Sequence, residues 1–356
     1  MKLLIGGGGT GGHTYPSIAI GNAFLRHGDS VVLVARSGSF EEDKYSMHGF
    51  RVLTINADKF EASRAPLFLA NSMKGFFEAS AIIEKEKPDL ILGVGSYVSF
   101  PLILASINMN IPYFLYEQNI IPGRTNRFLK YKSKKVFLGF PDIYNFFGDK
   151  GVFTGNPVRF ELSKIDKRKA FDFFGFENKP TLLVFGGSSG ARRINILFQD
   201  ILNNLLQKLD IQVIFIPGEN LYNEVMARFE SIPRKVMVCK YLEEMDLAYA
   251  VSDFAISRGG AMALTELVFF GIPSLIIPYP FARDDHQKKN AEFLRDKGCL
   301  EVVEEKFITP DLLYEKIVYY FTHMDIIYSM GEKCRGIFPE NSEELIYRKI
   351  KEVMDA

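Results

Sequence analysis

The chain carries no net charge: 43 lysines and arginines are matched by 43 aspartates and glutamates. No whole-molecule field therefore advertises a nucleic-acid partner, and electrostatic recognition must come from local patches. Cysteine is scarce. Cys239, Cys299 and Cys334 are odd in number and too widely spaced for metal-ligand motifs, which fits a reducing, cytosolic setting. Side-chain charge is missing altogether between Asp89 and Glu117, a stretch long enough to be mistaken for a membrane span. Gly93, Gly95, Pro101, Asn108, Asn110 and Pro112 interrupt it, and a lipid-exposed helix tolerates such residues poorly. It reads instead as a buried strand LILGV, a loop and helix over SYVSFPLILASI, and a second buried strand YFLY. MKLLIG is a strand from the outset, and no signal peptide is expected before it.

What remains is the composition of a soluble globular protein, with 47% hydrophobic and 24% charged residues in 356 positions, enough for two domains. Short apolar runs alternate with helix-length segments: KLLIG, VVLVA, LILGV, YFLY and KVFLG, then TLLVFG, QVIFI, KVMV, FAIS and SLIIP. That alternation predicts βαβ units and parallel sheets. LLIGGGGTGGH and LLVFGGSSGARRIN each read strand, glycine-rich turn, helix, which suggests two Rossmann-like halves. The boundary is expected near GNPVRFELSKIDKRKAF, where an Asn-Pro pair and dense charge replace the periodic pattern. Near the end, Asn341 and Glu344 suggest a capping box before a helix carrying Leu345, Ile346, Ile350 and Val353 on one side.

Six glycines fill seven positions from Gly6 to Gly12, followed at once by His13. Gly6, Gly8 and Gly11 satisfy G-x-G-x-x-G, and so do Gly7, Gly9 and Gly12. After a strand, this lets backbone approach a phosphate or sugar at a helix N-terminus. No Lys-Ser or Lys-Thr pair follows, so a Walker loop is excluded. The second strand ends in Arg36 where an NAD site wants an acid, leaving an NADP-dependent oxidoreductase as an alternative. Pro16 suits the start of the helix. His13 reads either as a polar residue satisfying the loop or as a general base.

In SRGGAMALTELVFFGIPSLIIPYP, a strand FAIS, the turn Gly259-Gly260 and the helix AMALTELVFF offer a pyrophosphate seat on a helix N-terminus. Glu266, on an otherwise apolar helix, suits a ribose diol better than solvent. Ser188 and Ser189 add hydroxyls beside the other glycine turn. Asp284 and Asp285 read as caps rather than metal ligands, while His286 and Gln287 could bond sugar hydroxyls.

Together these segments resemble the MurG family, peripheral membrane glycosyltransferases that move N-acetylglucosamine from UDP-GlcNAc to lipid I. The matching residues are GGTGGHTYP (8–16), GSYVSFP (95–101), EQN (117–119), GNPVR (155–159), GGSSGAR (186–192), SRGGAMALTE (257–266) and DHQKKNA (285–291), in family order across nearly the whole chain. The resemblance implies an α/β GT-B fold, two Rossmann-like parallel-sheet domains facing an interdomain cleft. Residues 1–158 would form the acceptor-binding, membrane-associating domain, with the 341–356 helix allowed to pack back on it. Residues 159–340 would bind UDP-GlcNAc.

By the same matches, Thr10, Gly11 and Gly12 would face the donor, with Asn119 near the transferred sugar. Arg159 and Ser188 would hold nucleotide and diphosphate, and Leu242 stands where family backbone pairs with uracil. Ala261, Met262, Ala263, Leu264, Thr265 and Glu266 would span the phosphate and ribose contacts, and Gln287 would bind the sugar. Ala263 replaces a usual Thr, Ser189 a usual Gln, and Gly259 a usual Ser or Ala, which alters details of phosphate binding.

The expected chemistry is a single displacement by the 4-hydroxyl of the muramoyl sugar, with His13 as base and Glu117 assisting. Helix N-termini and loop amides would stabilise departing UDP without metal or other cofactor. A lipid-anchored acceptor requires docking at the cytoplasmic face of the inner membrane. Between Gln118 and Pro141 lie Arg124, Arg127, Lys130, Lys132, Lys134 and Lys135 and no acid, a basic run suited to an anionic surface. Leu69, Met73, Phe76 and Phe77 recur at helical spacing upstream. Cell-wall synthesis proteins are further partners that the resemblance implies. A UDP-GlcNAc epimerase on the same fold would also fit these segments, as would a nucleotide-sugar sensor without turnover.

Overall fold

A computed structural model describes residues 1–9, 11–58, 65–158, 166–187 and 190–356, with backbone alone at 65–69, 142, 144 and 145. The chain divides into two compact units, Met1–Arg159 with Pro339–Ala356, and Phe160–Phe338.

In the first unit, strands β1 (Lys2–Gly6), β2 (Ser30–Arg36), β3 (Arg51–Ile55), β4 (Leu90–Gly93), β5 (Tyr113–Glu117), β6 (Val136–Leu138) and β7 (Gly151–Phe153) form one sheet. Its order is β3-β2-β1-β4-β5-β6-β7, and every pairing is parallel. The connecting helices are α1 (Gly11–Arg26), α2 (Phe40–Met47), α3 (Ala65–Glu86), α4 (Ser99–Asn108), α5 (Arg124–Leu129) and α6 (Tyr144–Phe147). Side chains along a strand alternate between faces, and both faces are buried. Leu3 and Ile5 join Ile18, Ile20 and Phe24 of α1, while Leu4 joins Ala79 and Ile83 of α3 and Leu102 and Ile103 of α4. That is why KLLIG is a continuous apolar run rather than an alternating one.

The second unit runs α7 (Lys167–Phe174), β8 (Thr181–Phe185), α8 (Arg192–Lys208), β9 (Gln212–Ile216), α9 (Tyr222–Met226), β10 (Val236–Val238), α10 (Met245–Val251), β11 (Phe254–Ser257), α11 (Ala261–Phe269), β12 (Ser274–Ile276), α12 (His286–Asp296), β13 (Leu300–Val302), α13 (Pro310–Thr322) and α14 (Met324–Cys334). Its parallel sheet has the order β10-β9-β8-β11-β12-β13. In each sheet the strand order reverses once, between β1 and β4 and between β8 and β11. Ligands of open α/β sheets bind outside the strand C-termini at such a point, and there both units place their glycine turns.

The last helix, α15 (Ser342–Met354), belongs to the first unit. Ile346 and Ile350 are fully buried in the cluster that includes Phe24 of α1. Tyr347 stacks on His27 at 4.0 Å between ring centroids, and Glu344 accepts from Arg26 Nη2 at 2.6 Å and meets His27 Nε2 at 2.9 Å.

Four local expectations need correction. β3, β7 and β13 lie outside the ten anticipated strands; each is an edge strand with one side unpaired, so RVLTI, GVF and LEV need no unbroken apolar run. Pro16 lies inside α1, because the helix already begins at Gly11. Asn341 makes no side-chain cap on α15, and Glu344 is taken by Arg26 and His27 at the end of α1. Asp285 flanks α12 at φ 53° without a side-chain cap.

Candidate active site

At the first switch point, Gly6 of β1 pairs with Gly93 of β4, and the Val94 amide donates to the Gly6 carbonyl at 3.0 Å. A Cβ on Gly7 would overlap both Val94 Cγ2 and Ser17 Oγ. Glycine here lets α1 close against the end of β4, and that approach brings the His13 Nδ1 to 2.7 Å from the Val94 carbonyl oxygen. Ser17 braces the same turn by donating to the His13 carbonyl at 2.8 Å. From the end of β5, the Gln118 carboxamide nitrogen lies 2.9 Å from His13 Nδ1 and 3.3 Å from Nε2.

Glu117, expected to assist His13, is engaged elsewhere. Its carboxylate accepts from the Asn119 amide at 3.1 Å and side chain at 3.4 Å, the Gly123 amide at 2.8 Å and Asn126 Nδ2 at 2.9 Å. Only 2% of the residue is exposed. Burial raises its pKa above the ordinary glutamate value, against those hydrogen bonds, which pull it down. The carboxylate thus organises the turn that carries Asn119. Behind it, Asn156 of the GNPVR segment donates to the Gln118 carbonyl at 3.3 Å and takes the Tyr116 hydroxyl.

At the second switch point, Gly260 flanks α11 in an extended conformation and brings no capping side chain. The Leu264 amide is bonded to the Gly260 carbonyl at 3.0 Å; Leu264 is fully buried, and the Thr265 hydroxyl donates to the Ala261 carbonyl at 2.9 Å. Within 261–266, therefore, the first-turn amides of Ala261, Met262 and Ala263 and the Glu266 carboxylate are the groups suited to a ligand. Glu266 is buried, and Tyr249 of α10 donates to its Oε2 at 2.7 Å.

Around this helix end the loops are tightly fitted. A Cβ on Gly259 would overlap the Gln287 carbonyl oxygen, so glycine at this position admits the start of α12. Gln287 Oε1 accepts from the Tyr279 amide at 3.0 Å. Arg258 donates to the carbonyls of Ile277 at 3.0 Å and Pro278 at 3.2 Å and pairs with Glu305 at 2.5 Å. Leu242 is buried in the connection from β10 to α10.

Residues 3–138 match the glycosyltransferase family 28 N-terminal domain, and residues 181–344 match its C-terminal domain. The UDP-N-acetylglucosamine--N-acetylmuramyl-(pentapeptide) pyrophosphoryl-undecaprenol N-acetylglucosamine transferase of Caldanaerobacter subterraneus subsp. tengcongensis is 32% identical over 365 residues, covering 99% of this chain and all of that one. The crystal structure of Acinetobacter baumannii MurG superposes with a TM-score of 0.76 at 25% identity, over 99% of each chain. The chain belongs to the MurG family. Its two parallel-sheet domains are those of a GT-B glycosyltransferase. The UDP-GlcNAc 2-epimerase of Neisseria meningitidis shares the fold at a TM-score of 0.71, covering 99% of this chain and all of that one, with 16% identity.

Of the residues that the MurG motifs single out, Thr10, Arg159 and Ser188 lie outside the described residues, as does Ser189. Gly11 and Gly12 open α1. Motif reading passed over Val94, Gln118, Tyr249 and Arg258. Gln118 sits inside the quoted EQN and Arg258 inside SRGG, so both were within reach; Val94 acts through its backbone, which no side-chain pattern reveals. Arg36, the residue that kept an NADP site open, lies 3.9 Å from Asp58.

The membrane-directed residues divide. Met73 and Phe77 are exposed, whereas Phe76 packs on the core, and the Leu69 side chain lies outside the described residues. Lys132 and Lys134 are exposed. Lys130 lies over the Phe146 ring at 3.8 Å and donates to its carbonyl, and Lys135 donates to the Asp149 carbonyl. Phe128 and Tyr131, at 65% and 76% exposure, add apolar surface that the sequence reading did not single out. No helix among the described residues is long and apolar enough to cross a membrane.

Proposed function

We propose that the chain transfers N-acetylglucosamine from UDP-GlcNAc to the 4-hydroxyl of N-acetylmuramic acid in lipid I, forming lipid II. The observation that carries this reading is 32% identity over 99% of the chain to an enzyme named for that transfer. The second unit takes the donor: its diphosphate is met by the uncapped first-turn amides of α11 with Ser188 assisting, its ribose by Glu266 and its sugar by Gln287, while Arg159 and Asn119 of the first unit contribute to the nucleotide and the sugar. The backbone at Leu242 meets uracil. The first unit takes lipid I, and its Thr10, Gly11 and Gly12 face the donor.

The acceptor hydroxyl gives its proton to His13 as its oxygen bonds to the anomeric carbon. The bond from that carbon to the diphosphate breaks, and UDP leaves with the electron pair. Displacement in one step on an α-linked donor yields a β-linkage. Glu117 contributes by holding Asn119 and the turn to Asn126, a positioning part rather than a proton-accepting one. Fixed helix-end and loop amides aimed at developing negative charge supply leaving-group stabilisation that a cation supplies in other transferases. We infer metal-independent transfer on that basis. Among the described residues no His, Cys, Asp and Glu group is disposed to hold a metal ion.

The acceptor's polyprenyl anchor calls for docking at the cytoplasmic membrane surface. Exposed Met73, Phe77, Phe128 and Tyr131, with Lys132 and Lys134, offer apolar and basic side chains for it in the acceptor-binding unit. The test is incubation with labelled UDP-GlcNAc, with and without a lipid I analogue, in buffer containing a chelator. Lipid-linked label that depends on the acceptor is expected; UDP release without acceptor, conversion of the donor to its epimer, or dependence on added magnesium or manganese would defeat the reading.

A further inference from the structure

The middle residue of EQN is the one that touches His13. A carbonyl oxygen can only accept a hydrogen bond, so at 2.7 Å from Val94 O the His13 Nδ1 must be the donor. A neutral imidazole has one N–H, and committing it to Nδ1 leaves the lone pair on Nε2. Gln118 Nε2 approaches the same ring at 2.9 Å from Nδ1 and 3.3 Å from Nε2. A donor on the in-plane lone-pair axis of one ring nitrogen lies out of reach of the other, so two such similar distances set the carboxamide against the ring face, where it fixes the tilt of the imidazole while the Val94 carbonyl fixes its tautomer. Gln118 is 5% exposed, and its Oε1 is buried with no partner among the described residues. A buried carboxamide left half-satisfied is unfavourable for folding alone. Its main chain is fixed as well, the carbonyl accepting from Asn156, so the side chain is delivered to the ring from a braced backbone.

We propose that Gln118 is a positioning residue for His13: the Val94 carbonyl holds the tautomer protonated on Nδ1, and the Gln118 carboxamide against the ring fixes the tilt that aims the Nε2 lone pair at the acceptor hydroxyl. The proposal rests on the reading of His13 as the base. When the acceptor arrives, its hydroxyl donates to that lone pair, and the proton passes to Nε2 as the new glycosidic bond forms, leaving an imidazolium whose Nδ1 proton still bonds Val94.

Protein labelled with 15N at its five histidines, with the His13 signal assigned by comparison with His13→Gln, reports the tautomer directly from the two ring-nitrogen shifts. A neutral ring protonated on Nδ1 is expected in the wild type and, because the Val94 carbonyl still accepts, in Gln118→Met as well. In the transfer assay Gln118→Met should lower kcat by about 10- to 100-fold, the size of an outer-shell loss, with KM for UDP-GlcNAc unchanged. Gln118→Leu replaces it if the Met variant does not fold. A wild-type ring protonated on Nε2, or a Gln118 variant with unaltered kcat, overturns the proposal. Full turnover by His13→Ala would instead remove the base assignment beneath it, and the nitrogen shifts keep the two failures apart.

Discussion

The Tyr249 hydroxyl donates to Glu266 Oε2 at 2.7 Å from the buried side of α11, so the carboxylate proposed to meet the ribose is oriented by a residue of another helix. Hydrogen bonds to a charged acceptor contribute about 1.5–3 kcal/mol. Tyr249→Phe keeps the ring in its contacts with Phe185 and Phe270 and removes only the donor. UDP binding, read by isothermal titration, should weaken roughly 10-fold or more, and the second unit should also melt several degrees lower because the buried carboxylate loses a donor. Unchanged affinity would mean that Glu266 does not depend on this bond.

His13→Ala removes the group held against Val94. Turnover at saturating donor and acceptor should fall by roughly 10² to 10⁴, the range of a lost general base, while UDP binding in the second unit stays as it was. Full turnover in this variant sinks the base assignment.

The C-terminal helix is expected to be integral to the first unit rather than an appendage. Ile346 and Ile350 are 0% exposed, and truncating a fully buried isoleucine to alanine costs about 2–5 kcal/mol. Urea unfolding of Ile346→Ala should show that loss in the transition of the first unit. A loss confined to the second unit would contradict the docking on α1.

Glu86 links Lys2 of β1 to Arg51 of β3. Lys2 holds its carboxyl below the usual glutamate value by a hydrogen bond, with charge attraction from Lys2 and Arg51 adding to it against burial. A depressed folded-state value means that the stabilisation is complete above the unfolded glutamate value of about 4.3 and is lost as pH falls through the lower folded value. Glu86→Gln should be less stable than wild type at pH 6, and the gap should close as the pH drops below about 4. Chemical denaturation at a series of pH values gives both curves; a gap that stays constant into acid would show that the ion pairs contribute nothing.

On the surface proposed to dock on the membrane, Lys132→Glu with Lys134→Glu should weaken sedimentation with anionic vesicles, since each lysine near such a surface contributes about 1 kcal/mol. Phe128→Ser with Tyr131→Ser should weaken binding in a salt-insensitive way. Soluble-acceptor turnover should survive both pairs. Vesicle association indifferent to all four changes would place the docking face elsewhere.

Much of the fold was open to reading because its signals are local. Ten of the strands stand out as apolar runs, since a parallel strand buried on both faces has no polar side to interrupt it. Three of the four edge strands did not stand out, because Arg51, Gly151 and Glu301 can sit where one side of the strand is open; the fourth, β10, did so as KVMV. The glycine run marked a close backbone approach, and His13 followed it in the chain. Which atoms the histidine would meet was not readable: Val94 and Gln118 are separated from it by 81 and 105 positions.

Residue order alone determined the alternation of strand and helix, the two glycine turns and the ordered motifs that mark a sugar-nucleotide transferase, because each depends on neighbours within a few positions. Tertiary structure alone decided that Glu117 braces a turn while Gln118 reaches the imidazole, that Tyr249 stands behind Glu266, and that Glu344 answers Arg26 and His27 instead of capping its own helix. Those outcomes are competitions among partners distant in sequence, settled by which donor or charge packing brings within about 3 Å.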